Sequence, residues 1–79
     1  MMISYETIGK VAYVALLQGR AAKTIEFSSK TIIDLTKDNK LMGVEILSPN
    51  SSDLQRIAKK YNRPELTRIN PHKLFKSVA

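Results

Sequence analysis

From Val11 to Leu47 apolar and polar residues alternate with a period close to two, and short clusters of turn-forming residues interrupt the alternation. This is the pattern of strands that bury one face. Ser4–Glu6, Val11–Gln18, Ala22–Phe27, Thr31–Thr36 and Leu41–Ser48 read as strands, rich in the Val, Ile, Tyr, Phe and Thr that suit a pleated surface. A two-residue loop at Asp38 and Asn39 sets Lys37 opposite Lys40, Leu35 opposite Met42, Ile33 opposite Val44 and Asp34 opposite Gly43. A three-residue loop at Ser28, Ser29 and Lys30 places Phe27 opposite Thr31 and Ile25 opposite Ile33. Slipping that pairing by one residue sends Glu26 into the apolar row, which disfavours the alternative. Gly19 and Arg20 read as the turn of a further hairpin that brings Val14 against Ile25.

This register sorts the side chains. One face holds Ala12, Val14, Leu16, Ile25, Phe27, Ile33, Leu35, Met42, Val44 and Ile46, the expected core. The reverse face mixes Val11, Tyr13, Ala15, Leu17, Ile32, Leu41 and Leu47 with Thr24, Glu26, Asp34 and Glu45. A solvent-facing sheet surface is normally more polar than that, so a second subunit or the chain's own tail is expected to cover part of it.

After Pro49 the period lengthens. Leu54, Ile57, Ala58 and Tyr61 recur at helical spacing, and Ser52 with Gln55 has the spacing of a capping box. The stripe should dock on the core face, and Pro64 should end the helix after Arg63. Beyond it Glu65–Ile69 reads as extended, and Asn70 with Pro71 can cap a last turn or two holding Leu74, Phe75 and Val78. The expectation is one α+β domain, an antiparallel meander of four to five short strands with a C-terminal amphipathic helix packed on one face. Residues 1–48 form the sheet, 49–63 the helix that completes it, and 64–79 a basic tail.

Composition narrows the function classes. A chain of 79 residues hides only about 60% of the surface its unfolded form exposes, and with no Cys it has no disulfides to compensate. A partner subunit is the remaining remedy. No apolar run approaches the roughly 20 residues needed to span a bilayer, and the opening MMISYE has no secretory character, so a cytoplasmic location without membrane contact is expected. The net charge of +6 is uneven: residues 1–50 carry six Lys/Arg against five Asp/Glu, and residues 51–79 carry seven against two. A basic C-terminal third favours encounter with anionic partners without naming one.

Candidate chemistry is sparse. His72, the one His, has no Cys in the chain and no carboxylate beside it in sequence, so it reads as a surface or helix-start residue. Asp34 and Glu45, with Glu26 near them, could hold a cation or share a proton, but a solvated or cross-subunit ion pair with Lys23, Arg20 or Lys40 accounts for them more simply. Gly9, Gly19 and Gly43 are isolated and form no phosphate loop. No catalytic residue, metal ligand or cofactor is assigned, and the chain is expected not to be an enzyme. Arg56, Lys59, Lys60 and Arg63 form the best anion or nucleic-acid candidate, set against the ordinary solvated side of a surface helix. Tyr61, the one aromatic among them, is assigned to the core stripe.

Tyr5-Glu6, Tyr13-Val14-Ala15-Leu16, Gly19, Ala22-Lys23-Thr24, Asp34 and above all Gly43-Val44-Glu45-Ile46-Leu47 make the chain resemble a small uncharacterised prokaryotic family, number twenty-two eighty-three among the domains of unknown function. The similarity covers about residues 3–48. It departs from the family pattern at Ile8, Gly9 and Lys10, where the family tends to be acidic. The resemblance implies a mostly antiparallel sheet with a C-terminal helix, frequent self-association, no established activity, and an antitoxin-like role in some members. The reading of the residues is a homodimer with an interface at Val11, Tyr13, Leu17, Ile32, Leu47 and Phe75, and with a tail open to a protein partner. The alternative is a nucleic-acid-binding accessory making weak contact through the basic helix and tail.

Overall fold

The central strand decides the architecture. In the computed structural model, which describes residues 4–8, 11–48, 52–70 and 72, β5 (Leu41–Ile46) lies between β2 (Val11–Ala15) and β4 (Thr31–Leu35). The edges are β1 (Ser4–Ile8), paired with β2, and β3 (Lys23–Ser28), paired with β4. All pairings are antiparallel, in the order β1-β2-β5-β4-β3. Helix α1 (Asp53–Lys60) and a 3-10 helix (Pro64–Arg68) cover one face, which makes the domain α+β.

The last three strands run as a meander, and β1 with β2 forms a separate hairpin. The expected contact of Val14 with Ile25 is not made, because β2 pairs with β5 and sets Val14 opposite Val44. The chain from Leu16 to Ala22 instead crosses the end of the sheet to the far edge, a Greek-key connection. Leu16 and Leu17 both donate their N–H groups to the Met42 carbonyl before it leaves, and Gly19 turns with φ +113°. Ile25 therefore lies on an edge strand, 42% exposed, rather than in the core.

Both tight hairpins keep the expected register away from their turns but not beside them, where Leu35 faces Leu41 rather than Met42, Thr36 rather than Lys37 meets Lys40, and Ser28 rather than Phe27 faces Thr31. In β4–β5 the loop is three residues long: Asn39 N–H donates to the Thr36 carbonyl, Asn39 has φ 65°, and Thr36 pairs with Lys40. A bulge then leaves Met42 unpaired and sets Leu35 opposite Leu41, after which Asp34 meets Gly43 and Ile33 meets Val44 as the alternation demands. In β3–β4 the loop is the shorter one, Ser28 faces Thr31, and Phe27 is the bulged residue before Ile25 meets Ile33. Burial of the apolar row holds the register, and loop and bulge adjust around it. The bulge at Met42 also turns Leu41, expected on the mixed face, into the core.

The core joins Ala12, Val14, Leu16, Ile33, Leu35, Leu41, Val44 and Ile46 from the sheet to Leu54, Ile57 and Ala58 of α1, the helical stripe read from the sequence. Ser52 makes no side-chain cap, so the expected capping box is absent. Asp53 takes over that end: 3% exposed, its carboxylate accepts from Thr31 Oγ1 at 2.7 Å, from the Ser28 hydroxyl and from the Arg56 guanidinium. The helix closes with Asn62 at φ 55° and Arg63 N–H donating to the Ala58 carbonyl, a left-handed C-terminal cap. The segment expected to be extended is the 3-10 helix, because Pro64 starts a tight turn and Leu66 drives fully into the core. Leu74, Phe75 and Val78 lie outside the described residues. Among those described, no helix is long and apolar enough to cross a membrane.

Buried and edge positions should separate cleanly in urea denaturation. Ile57→Ala and Leu66→Ala are each expected to cost about 2–5 kcal/mol and Ile25→Ala about 1 kcal/mol or less. An Ile25→Ala loss equal to that of Leu66→Ala would contradict the edge assignment.

Candidate interaction surface

The face of the sheet away from α1 is built in cross-strand rows. Glu6, Tyr13, Glu45, Ile32 and Glu26 lie at paired positions across the five strands, and Ala15, Gly43, Asp34 and Thr24 lie in the adjacent row. Tyr13 connects the rows. Its ring runs diagonally over Gly43 of β5, and its hydroxyl donates to Asp34 Oδ2 on β4 at 2.9 Å. Thr24 on β3 donates to Asp34 Oδ1 at 2.8 Å, so each oxygen of this carboxylate has a hydroxyl partner. A side chain at position 43 would collide with the Tyr13 hydroxyl and ring, which explains a glycine inside a central strand.

Electrostatics keep the Tyr13 proton in place. Burial pushes the phenol up to about 12, and the hydrogen bond to Asp34 and the charges of Asp34 and Glu45 act in the same direction. The result is a neutral aromatic plate fixed across β2, β5 and β4. Around it Val11, Ala15 and Ile32 are half-buried, while Leu17 and Leu47 are 37% and 39% exposed at the ends of the two strands. Tyr13 with Val11, Leu17, Ile32 and Leu47 makes five of the six residues read from the sequence as an interface; Phe75 is outside the described set.

The three carboxylates do not converge. Ile32 stands at the pairing position between Glu26 and Glu45, and the Asp34 oxygens are occupied by hydroxyls. No group of His, Cys, Asp and Glu among the described residues is arranged to hold a metal ion. Lys23, an expected partner for these acids, donates to Asn39 Oδ1 at 2.6 Å instead.

The basic residues of α1 have unequal surroundings. Arg56 pairs with Asp53 and lies 5.7 Å from the centroid of the Phe27 ring. Lys59 is exposed, Lys60 Nζ stands 5.9 Å from the Tyr61 ring centroid, and Arg63 Nη1 is 3.9 Å from Glu65 Oε1. His72 is exposed, and its N–H donates to Asn70 Oδ1 at 3.0 Å; the terminal turn that Asn70 is expected to cap lies outside the described residues. Sequence reasoning paired Asp34 with Gly43 but missed Tyr13 above them, because it placed β2 beside β3. The available signal was the glycine itself, flanked by apolar residues in a strand, which marks a close approach.

A family model described as a protein of unknown function, DUF2283, matches residues 2–48, the whole sheet. No curated protein and no solved structure matches the chain.

Gly43→Ala should destabilise by about 1–3 kcal/mol through overpacking against Tyr13. Most of that loss should vanish in the Tyr13→Val background, and additive losses in the double-mutant cycle would refute the contact. The phenol gives a second expectation. Its ordinary pKa of 10.0 describes the unfolded chain and about 12 the folded one. Between those values the unfolded state binds fewer protons, so stability falls as pH rises, and the contribution is fully present below pH 10. Phenolate absorbance should show one tyrosine titrating late, and Tyr13→Phe should remove that step and flatten the alkaline loss of stability. An unchanged absorbance curve would count against the Asp34 pairing.

Proposed function

We propose that this chain, which belongs to the DUF2283 family, is a small non-enzymatic interaction protein of the cytoplasm that works as a homodimer through the mixed face of its sheet. The observation that carries this reading is the asymmetry of the two faces. One is buried under α1 and the 3-10 helix, while the other offers a fixed Tyr13 plate flanked by Val11, Ala15 and Ile32, with Leu17 and Leu47 exposed beyond it. Apolar area on a chain with so small a core gains most from a second copy. The antitoxin-like role implied by the resemblance is the version in which this face meets a different protein.

The reading ranks above a nucleic-acid accessory working along the whole basic side of α1. Arg56, at the start of that side, pairs with Asp53 and Phe27.

Leu17→Glu with Leu47→Glu tests the interface without disturbing the core, since both side chains are exposed. Sedimentation equilibrium should give twice the 8.9 kDa chain mass for the unaltered protein and the single-chain mass for the variant. A folded variant that remains dimeric, or an unaltered protein that is monomeric at high concentration, would overturn the proposal.

A further inference from the structure

The middle of the mixed face carries a carboxylate. Glu45 is half-buried on the central strand β5, with Tyr13 of β2 and Ile32 of β4 at its paired positions. It makes no ion pair among the described residues. Tyr13 keeps its proton wherever carboxylates titrate, since burial pushes the phenol up to about 12. Asp34 on β4 has both oxygens taken by the hydroxyls of Tyr13 and Thr24, and Glu26 is exposed on the edge strand β3 with Ile32 between it and Glu45. Glu6 holds the matching row position on β1, and Lys30 is exposed in the turn two residues before Ile32.

Symmetry gives this central position a consequence. In an isologous pair the same patch meets itself, and two sheets stacked face to face overlap most when the two-fold axis passes over the middle strand, which here is β5. With that axis along the strands, β2 lies over the partner's β4, Tyr13 meets the partner's Ile32, and Glu45 meets the partner's Glu45. With the axis along the row from Glu6 to Glu26, Tyr13 meets the partner's Tyr13. Glu45 again meets its own copy.

We propose that the homodimer is proton-linked: association brings the two Glu45 carboxylates together at the two-fold axis, the pair takes up a proton, and the dimer tightens as pH falls. The inference rests on the homodimer reading of this face. Two carboxylates sharing a site repel when both are ionised, and one proton between them replaces the repulsion with a hydrogen bond. The dimer then binds more protons than two separate chains, so affinity rises towards acid pH and is lost as pH rises. Glu26, exposed at the rim, stays solvated, where repulsion is screened.

Sedimentation equilibrium of the full chain tests this, with circular dichroism confirming the fold at each pH. The dimer dissociation constant should be about tenfold lower at about pH 4.5 than at about pH 7.5. Glu45→Gln should give one affinity at both, and Glu26→Gln should keep most of the dependence. A carboxyl NMR titration of the unaltered protein gives a second readout: Glu45 should titrate at higher pH in the concentrated dimer than in the dilute monomer. A dimer whose affinity ignores pH, a dependence that survives Glu45→Gln or vanishes in Glu26→Gln, or a Glu45 titration that ignores concentration would overturn the inference and leave the homodimer standing. Absence of a dimer at both pH values would overturn the two together.

Discussion

A carboxylate removed from water must be met by donors, and the way Asp53 is met determines where α1 lies. Leaving such a group buried and unpartnered costs on the order of 3–5 kcal/mol, a large part of the stability of a domain this small. Thr31 and Ser28 supply hydroxyls from the β3–β4 hairpin, Arg56 supplies a guanidinium one turn along, and the positive end of the helix favours the charge. The first turn of α1 is thereby tied to the start of β4. Its apolar stripe joins Ile33, Val44 and Ile46 in one core.

The division of labour between the two sheet faces follows. Once α1 and Leu66 close over one side, alternation along β2, β4 and β5 sends Tyr13, Ile32, Asp34 and Glu45 to the other. That side is ordered by its own bonds. Tyr13 over Gly43 and the Asp34 carboxylate shared with Thr24 brace four strands laterally, so in the proposed dimer the plate would be held in place beforehand and would lose less side-chain entropy on binding.

Much of this was legible in the residues. Ile33 against Val44, Ile25 against Ile33 and the Leu54-Ile57-Ala58 stripe follow from periodicity, because each wrong register would bury a charge. What escaped was non-local or compensated. A two-residue loop and a three-residue loop were each assigned to the wrong hairpin, and the bulges at Met42 and Phe27 cancelled both errors, since only the sum of loop and bulge is constrained by burial. The β2–β5 pairing was invisible because Val11–Ala15 alternates in a way that suits any neighbour. Leu66 was hidden in a segment too short to show a period. The site shares this limit: five of the apolar interface candidates could be read by face, whereas the Tyr13–Asp34 bond needed the strand order.

The central claim is that the helix-free face is where two copies meet, and nuclear Overhauser contacts between isotope-labelled and unlabelled chains in an equal mixture address it directly. Contacts between copies are predicted from Tyr13, Ile32 and Leu17. Contacts arising instead around Ile25 and the exposed side of α1, or none between copies at millimolar concentration, would contradict the account.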